Sequence, residues 1–253
     1  MPFPDQVLAK AVAADATRPA ITFYDDTTGG GGERIELSRR VLRTWVCKAA
    51  NALQEGLDVQ PGSVVLVDLP GPHWRLVYWA LAVWSVGATL TVDTHEGADV
   101  LVTTDPDSEL AEDCDEVVAV ALPALARSFG EELRSGIVDE AAELSSYADD
   151  FTAWDDVTEE DTALVDQGER ISYAELLDEL PPVPTGSRAL ITTTDPGLFL
   201  RQVLQVLAAD GSVVIVRSDH EDGADVSQDQ DRLASEGVSF ALATNQAPEQ
   251  TTS

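Results

Sequence analysis

The stretch SVVLVDLPGPHWRLVYWALAVWSVGATLTV, residues 63–92, decides the fold. It opens with the β-branched apolar run SVVLVDL, which is typical of a strand buried in a parallel sheet. The segment 74–86 is apolar on almost every face and predicts a buried helix, with Pro72 in its first turn and Gly87 at its end. Ala88–Val92 has the pattern of a second strand. These elements predict one βαβ unit with a right-handed crossover.

The helix of this unit carries a stripe of large side chains at helical spacing: Trp74, Tyr78, Leu81 and Trp84. A stripe of this kind can form a surface for a partner protein. Burial of a crossover helix explains it more simply, so we expect these side chains to lie in the core.

On the N-terminal side, the sequence predicts a helix, a β-hairpin and a second helix. The first helix spans Pro4–Ala14, the hairpin pairs Ala20–Tyr24 with a strand through Ile35 and Leu37, and Ser38 caps the second helix. Four consecutive glycines lie between the two strands. A glycine-rich phosphate cradle needs a helix N-terminus directly after it, so we interpret these glycines as the tip of the hairpin.

On the C-terminal side, strands and helices alternate, and the predicted fold class is α/β with doubly wound, mostly parallel sheets and flanking helices. The acidic, polar stretch 136–161 is interpreted as a solvated connector between a first α/β unit, 1–135, and a second, 162–243, followed by a loose polar tail, 244–253. A single compact domain is also compatible with this pattern. The predicted elements are strands at Asp99–Thr103, Glu116–Val120, Ser187–Thr193, Ser212–Arg217 and Val238–Ala243, and helices at Ser172–Leu180, Pro196–Ala209 and Gln228–Glu236.

The composition excludes several classes of partner. The chain has 253 residues with 46 acidic and 15 basic side chains, a formal net charge of −31. Such a surface repels nucleic acid and anionic membranes. Cys47 and Cys114 lack metal or redox spacing, which indicates reduced thiols. The N-terminus has no signal-peptide pattern and no apolar run is long enough to span a membrane, so we expect a soluble, cytoplasmic protein.

Five segments of the chain form a recognisable series: RPAITFYDD (18–26), the long stretch from ELSRR to TLTVDT (36–94), ADVLVTTDP (98–106), GLFLRQVLQVLAADGSVVIV (197–216) and RLASEGVSFAL (232–242). In this order they resemble the opening region of the adenylate-forming enzymes, the superfamily of acyl-CoA synthetases, peptide-synthetase adenylation domains and luciferases. The resemblance covers most of the chain and depends on patterned helices and strands rather than on catalytic signatures.

The resemblance implies a phosphate loop rich in Ser, Thr and Gly with a lysine, because backbone N–H groups and a cation must hold the triphosphate of ATP. Its expected position, 161–170, has no lysine and contains Asp166, Gln167, Gly168, Glu169 and Arg170. One unpaired carboxylate about 4 Å from a phosphate charge costs up to about 4 kcal/mol, nearly a thousandfold in affinity, of which Arg170 or Mg²⁺ could offset a part.

The resemblance also implies an adenine-binding strand, a ribose-binding aspartate and a C-terminal domain with a catalytic lysine, and the sequence given stops before their expected positions. We therefore expect no catalytic residue, no bound cofactor and no metal. Asp105, Asp107 and Glu109 imitate half of a calcium loop but lack its central glycine and distal glutamate.

The remaining candidate ligand contacts lie where predicted strands end, the edge at which α/β proteins bind ligands. The turn TTTDP could present backbone N–H groups to an anion, although a plain strand-to-helix turn explains it more simply. For the two histidines the alternative interpretation is an exposed loop residue. The candidates are His73, Asp93, His95, Thr193 and Thr194.

The sequence therefore predicts a truncated, non-catalytic relative of the adenylate-forming enzymes that acts as a binding, regulatory or scaffold protein. Its partner could be a second copy or an intact adenylate-forming homologue, docked through the tryptophan-rich helix. The alternative function is an enzyme: one half of a split ligase whose ATP-binding remainder comes from a second chain.

Overall fold

The computed structural model describes residues 3–27, 32–93, 97–219 and 230–242, which form two sheets flanked by helices. The strands are β1 Pro19–Asp25, β2 Glu33–Ser38, β3 Val64–Asp68, β4 Thr89–Thr91, β5 Val100–Thr103, β6 Glu116–Ala119, β7 Val138–Asp139, β8 Thr162–Asp166, β9 Glu169–Ser172, β10 Arg188–Ile191, β11 Ser212–Arg217 and β12 Phe240–Leu242. The helices are α1 Pro4–Ala14, α2 Arg39–Asn51, α3 Trp74–Val86, α4 Glu109–Asp113, α5 Glu140–Glu143, α6 Pro196–Ala208 and α7 Gln230–Ser235; a π-helical turn, Ala52–Gly56, extends α2.

Both sheets are mainly parallel, as predicted. One has the order β12-β10-β11-β1-β2 and the other the order β7-β6-β5-β3-β4-β8-β9. All neighbours pair in parallel except β1 with β2 and β8 with β9, which are hairpins. The α/β class and the βαβ unit β3-α3-β4 are therefore confirmed.

Helix α3 lies in the main core, where side chains from both sheets meet. Trp74, Tyr78, Leu81 and Trp84 are all at most 2% exposed. The prediction that this stripe packs in the core is confirmed, and its four side chains are not exposed for contact with a partner.

Two local predictions are wrong. Pro72 lies outside α3, in a cis peptide bond with Gly71, and the N-cap is His73. Residues 172–180 form no helix, but the end of β9 and a series of turns. The chain remains paired with β8 as far as Ser172, which pairs with Thr162. Beyond it, the backbone N–H groups of Glu175 and Asp178 donate to carbonyls only three residues earlier, which closes turns instead of an α-helix.

The predicted acidic connector is partly built into the fold. It contributes β7 and α5, and Glu140 is 2% exposed. The Glu140 carboxylate pairs with the guanidinium of Arg75 on α3 at 2.8 Å. Each sheet also takes strands from both sides of 136–161, so the proposed boundary does not separate two sheets. The predicted tail, 244–253, lies outside the described residues.

Candidate functional site at the β8–β9 hairpin

The hairpin β8–β9 occupies the position at which the resemblance implies a phosphate loop. Its two strands are joined by Gln167 and Gly168 alone, with φ angles of 50° and 79°. Two consecutive left-handed residues form a tight turn whose twist matches that of antiparallel strands. A turn of this length presents no row of backbone N–H groups that could surround a triphosphate.

Three carboxylates gather around this turn from three different elements. Asp93 follows β4, Asp166 ends β8, and Asp195 precedes α6. Gln167 links two of them, because its backbone N–H donates to Asp93 and its side-chain Nε2 donates to Asp195 Oδ2 at 2.7 Å. We call Asp93, Asp166 and Asp195 the carboxylate triad.

The triad perturbs the titration of its central member. Burial, together with the charges of Asp195 and Asp93, raises the pKa of Asp166 to about 6, while Arg201 acts in the opposite direction. The guanidinium of Arg201 donates instead to the backbone carbonyls of Leu176 and Asp178, at 2.9 and 2.6 Å. The site therefore disfavours even its own negative charge.

The N-terminus of α6, which could attract an anion, is already occupied by protein. Asp195 Oδ1 accepts the N–H of Leu198 at 2.7 Å, and the Asp195 carbonyl accepts the N–H of Phe199 at 2.9 Å. Asp166 packs against Gly197 so closely that a Cβ at this glycine would lie 2.1 Å from Asp166 Oδ2. The TTTDP segment is thus a strand-to-helix turn and not an open anion site.

Of the predicted site residues, Asp93, Asp166 and Gln167 are brought together. Thr193 lies beside them, fully buried, and its hydroxyl accepts the N–H of Asp195 at 3.2 Å; Thr194 is exposed. Gly168 completes the turn, and β9 begins with Glu169 and Arg170. Arg170 Nε donates to the hydroxyl of Thr162 on β8 at 3.4 Å. His95 lies outside the described residues.

His73 is not the exposed loop residue that the sequence suggested. It is 1% exposed, and its Nδ1 accepts the N–H of Arg75 at 3.1 Å. Its ring packs against Phe23 and Trp74. Burial, helped by the charges of Arg75 and Arg217, lowers the pKa of His73 to about 3. This histidine is a neutral helix cap inside the core.

Asp195 is a site residue that the sequence reasoning missed. Asp followed by Pro at the start of an apolar helical pattern is a strong N-cap signal. That signal identifies the cap but gives no indication that the second carboxylate oxygen reaches Gln167.

Within the described ranges, no group of three His, Cys, Asp or Glu side chains is arranged to hold a metal ion.

Comparisons with known proteins agree with this fold. No protein-family model matches the sequence. The chain is similar to the "TIGR03089 family protein" of Mycobacterium tuberculosis, with 38% identity over 99 residues, which are 39% of each chain. The equal shares mean that the two chains have about the same length.

Solved structures of adenylate-forming enzymes match almost the whole chain. An acyl-CoA synthetase from Brucella canis superposes with a TM-score of 0.72 at 18% identity, over 95% of this chain and 47% of its own. Coronafacic acid ligase from Pectobacterium brasiliense gives a TM-score of 0.71 at 13% identity, over 95% and 49%. The chain thus has the α/β fold of the N-terminal region of these enzymes and spans about half of their length. No described helix is long and apolar enough to cross a membrane.

Proposed function

We propose that this chain is a non-catalytic homologue of the adenylate-forming ligases that acts as a binding, regulatory or scaffold protein and does not bind ATP. The observation that carries the proposal is the two-residue turn of β8–β9, surrounded by the carboxylate triad, where the family resemblance implies a phosphate loop.

Two independent physical effects disfavour a nucleotide at this turn. The first is geometric, since a two-residue turn lacks the N–H groups that would replace the hydration of the phosphates. The second is electrostatic, since each carboxylate within about 4 Å of a phosphate charge costs up to about 4 kcal/mol at an effective dielectric of 20. Neither a lysine nor a free helix N-terminus compensates at the hairpin.

The test is isothermal calorimetry of the purified protein with Mg²⁺-ATP, at moderate and at high salt. We expect no saturable heat, whereas an intact adenylate-forming ligase titrated in parallel shows that the assay detects binding. Saturable binding to this chain, or formation of an acyl-adenylate by it, would overturn the proposal.

A matched variant separates the two effects. Replacing the triad by Asp93→Asn, Asp166→Asn and Asp195→Asn removes the negative charge but leaves the turn unchanged. If the absence of a phosphate loop is what prevents ATP binding, we expect this variant to show no saturable heat with Mg²⁺-ATP either. Binding that appears only in the variant would assign the loss of ATP affinity to the carboxylates.

The alternative function, one half of a split adenylate-forming ligase, is favoured by one observation: the chain spans about half of the ligases it matches. It requires a second chain that supplies the ATP-binding and lysine-bearing parts. Co-purification with the products of neighbouring reading frames, followed by measurement of ATP-dependent pyrophosphate release, distinguishes the two functions. Release by the complex would establish the split enzyme.

A further inference from the structure

A groove between α1 and α2 is lined in part by the segment 151–153, which is followed directly by an exposed tryptophan, Trp154. The groove encloses about 300 Å³ between α1, α2 and the segment 151–153. Leu8, Val46 and Phe151 provide its apolar lining. We call this groove, together with the neighbouring Trp154, the Trp154 groove.

Trp154 is the feature that singles out this surface. Its side chain is 64% exposed, whereas Trp74 and Trp84 are each 2% exposed. An exposed tryptophan is unusual because removing its large apolar area from water lowers the free energy. Tryptophan is also enriched among the residues that contribute most to the affinity of protein interfaces.

The segment that carries Trp154 is held in place by two buried amides. Asn51 Nδ2 donates to the carbonyls of Ala148 and Asp150 at 3.1 and 3.0 Å. Gln54 Nε2 donates to the carbonyl of Thr152 at 3.2 Å, and Gln54 Oε1 accepts the N–H of Trp154 at 3.0 Å. The tryptophan is therefore presented on a fixed backbone, which reduces the entropy that a partner would lose on binding.

The charge around Trp154 identifies the chemistry of the partner. Residues 149–161 contain seven acidic and no basic side chains. Arg43 lines the groove, but Asp150 lies 3.4 Å from its guanidinium. A second copy of this chain, with a net charge of −31, would be repelled from such a surface. A cationic segment would gain both Coulomb attraction and cation–π contact with the indole ring.

We propose that the Trp154 groove docks a basic, amphipathic segment of a partner protein, with apolar side chains in the groove and lysine or arginine near Trp154 and the surrounding carboxylates. This inference rests on the proposed binding role and gives it a location and a partner chemistry. Its failure can be distinguished from failure of the proposed function, because ATP titration tests the hairpin and peptide titration tests the groove.

The test uses a synthetic twelve-residue amphipathic peptide of lysine and leucine, and the same peptide with glutamate in place of lysine. Binding to the whole protein is followed by calorimetry and by protection of tryptophan fluorescence from acrylamide. We expect saturable binding of the lysine peptide, weakened when NaCl rises from about 0.05 to about 0.5 M, and no binding of the glutamate peptide.

Variants locate the site. Trp154→Ala should weaken the lysine peptide about tenfold or more, while Leu125→Ala, which removes another exposed apolar side chain, leaves affinity unchanged. Asp155→Asn with Asp156→Asn should weaken it more than Glu131→Gln with Glu132→Gln, which removes the same charge elsewhere on the exposed surface.

Three results would overturn the proposal: no binding of the lysine peptide, equal losses in both pairs of charge variants, or binding that Trp154→Ala leaves intact. Sedimentation of the wild type gives a further check. Self-association that is abolished by Trp154→Ala would assign the surface to a second copy instead of a basic partner.

Discussion

Asp166 has a raised pKa in the fold, and this makes its charge a cost to stability at neutral pH. The value of about 6 lies above the ordinary 3.8, so the charged form is disfavoured in the folded state. The cost is fully present above pH 6 and vanishes below about pH 4, where the carboxyl is protonated in both states. A shift of about two units corresponds to about 3 kcal/mol, which solvent screening at this half-buried site reduces to about 1 kcal/mol.

We therefore expect Asp166→Asn to raise the free energy of unfolding by about 1 kcal/mol at pH 7.5 and to have little effect at pH 4. Urea denaturation at both pH values measures the difference. Asp105→Asn, at an exposed carboxylate away from the triad, is the control and should change neither value by more than about 0.5 kcal/mol. An Asp166→Asn effect that is the same at both pH values would contradict the electrostatic explanation.

Single residues also show how far sequence reasoning reaches at the candidate site. Asp93 could be placed at the ligand-binding edge of a sheet because it follows a predicted strand. Its approach to Asp166 could not be predicted, because β8, the parallel neighbour of β4, is not among the predicted elements. The burial of His73 could not be predicted, since it depends on packing against Phe23, fifty residues earlier in the chain. The link from Gln167 to Asp195 depends in the same way on how a hairpin of one sheet meets a helix that follows a strand of the other.

At the scale of elements, the fold was predictable wherever a local pattern decides the structure. The predicted bounds of α1, α3 and β11 agree with the structure, because apolar periodicity and end signals lie within each segment. The segment 172–180 has an equally helical pattern. It forms turns instead, because its start is held in β9, where Ser172 pairs with Thr162, a contact that lies outside any local sequence window.

Helix α7 is a short element that polar contacts hold against the first sheet. Glu236, just after α7, accepts hydrogen bonds from Arg34 at 3.0 Å and from Arg188 at 2.7 Å, and also from Tyr24. The hydrogen bonds from Arg34, above all, and from Tyr24 and Arg188 together lower the pKa of Glu236 to about 2. Because the pKa in the fold is depressed, this stabilisation is present above about pH 4.5 and is lost as the pH falls towards 2.

We expect Glu236→Gln to loosen α7 and β12 while leaving the rest of the fold intact. At pH 7, hydrogen exchange of the amides in 230–242 should accelerate about tenfold, equivalent to about 1.4 kcal/mol, with no change in β3 or α3. Glu132→Gln, at an exposed position, is the control. Acceleration spread evenly over all elements would show global destabilisation and contradict a local role.

Across the whole molecule, one core joins the two sheets, and charge dominates the surface. The main core cluster includes Ile21 and Val213 of one sheet together with Val65 and Leu90 of the other. Shared burial of this kind favours a single cooperative unfolding transition, in keeping with the single compact domain that the sequence pattern allowed beside two units. The net charge of the surface does not depend on this topology, because the amino-acid composition determines it.

The excess of acidic residues predicts that salt stabilises the protein. Even if every one of the 15 basic residues paired with a carboxylate, 46 − 15 = 31 negative charges would remain, and their mutual repulsion weakens the compact state. Salt also weakens surface ion pairs such as Arg43–Asp150, 3.4 Å apart, but exposed pairs contribute at most about 1 kcal/mol each. Because the unpaired charges outnumber the pairs, screening should favour folding.

We expect the melting temperature to rise by about 5 °C between about 0.05 and about 1 M NaCl, measured by circular dichroism at pH 7.5. Sorbitol at equal osmolality is the control for solvent exclusion, and choline chloride tests whether a particular cation is required. An equal rise with both salts and a smaller one with sorbitol would assign the stabilisation to screening of the surface carboxylates. A fall in the melting temperature would mean that the specific ion pairs outweigh the general repulsion, and that the acidic surface is organised into stabilising networks instead of repelling itself.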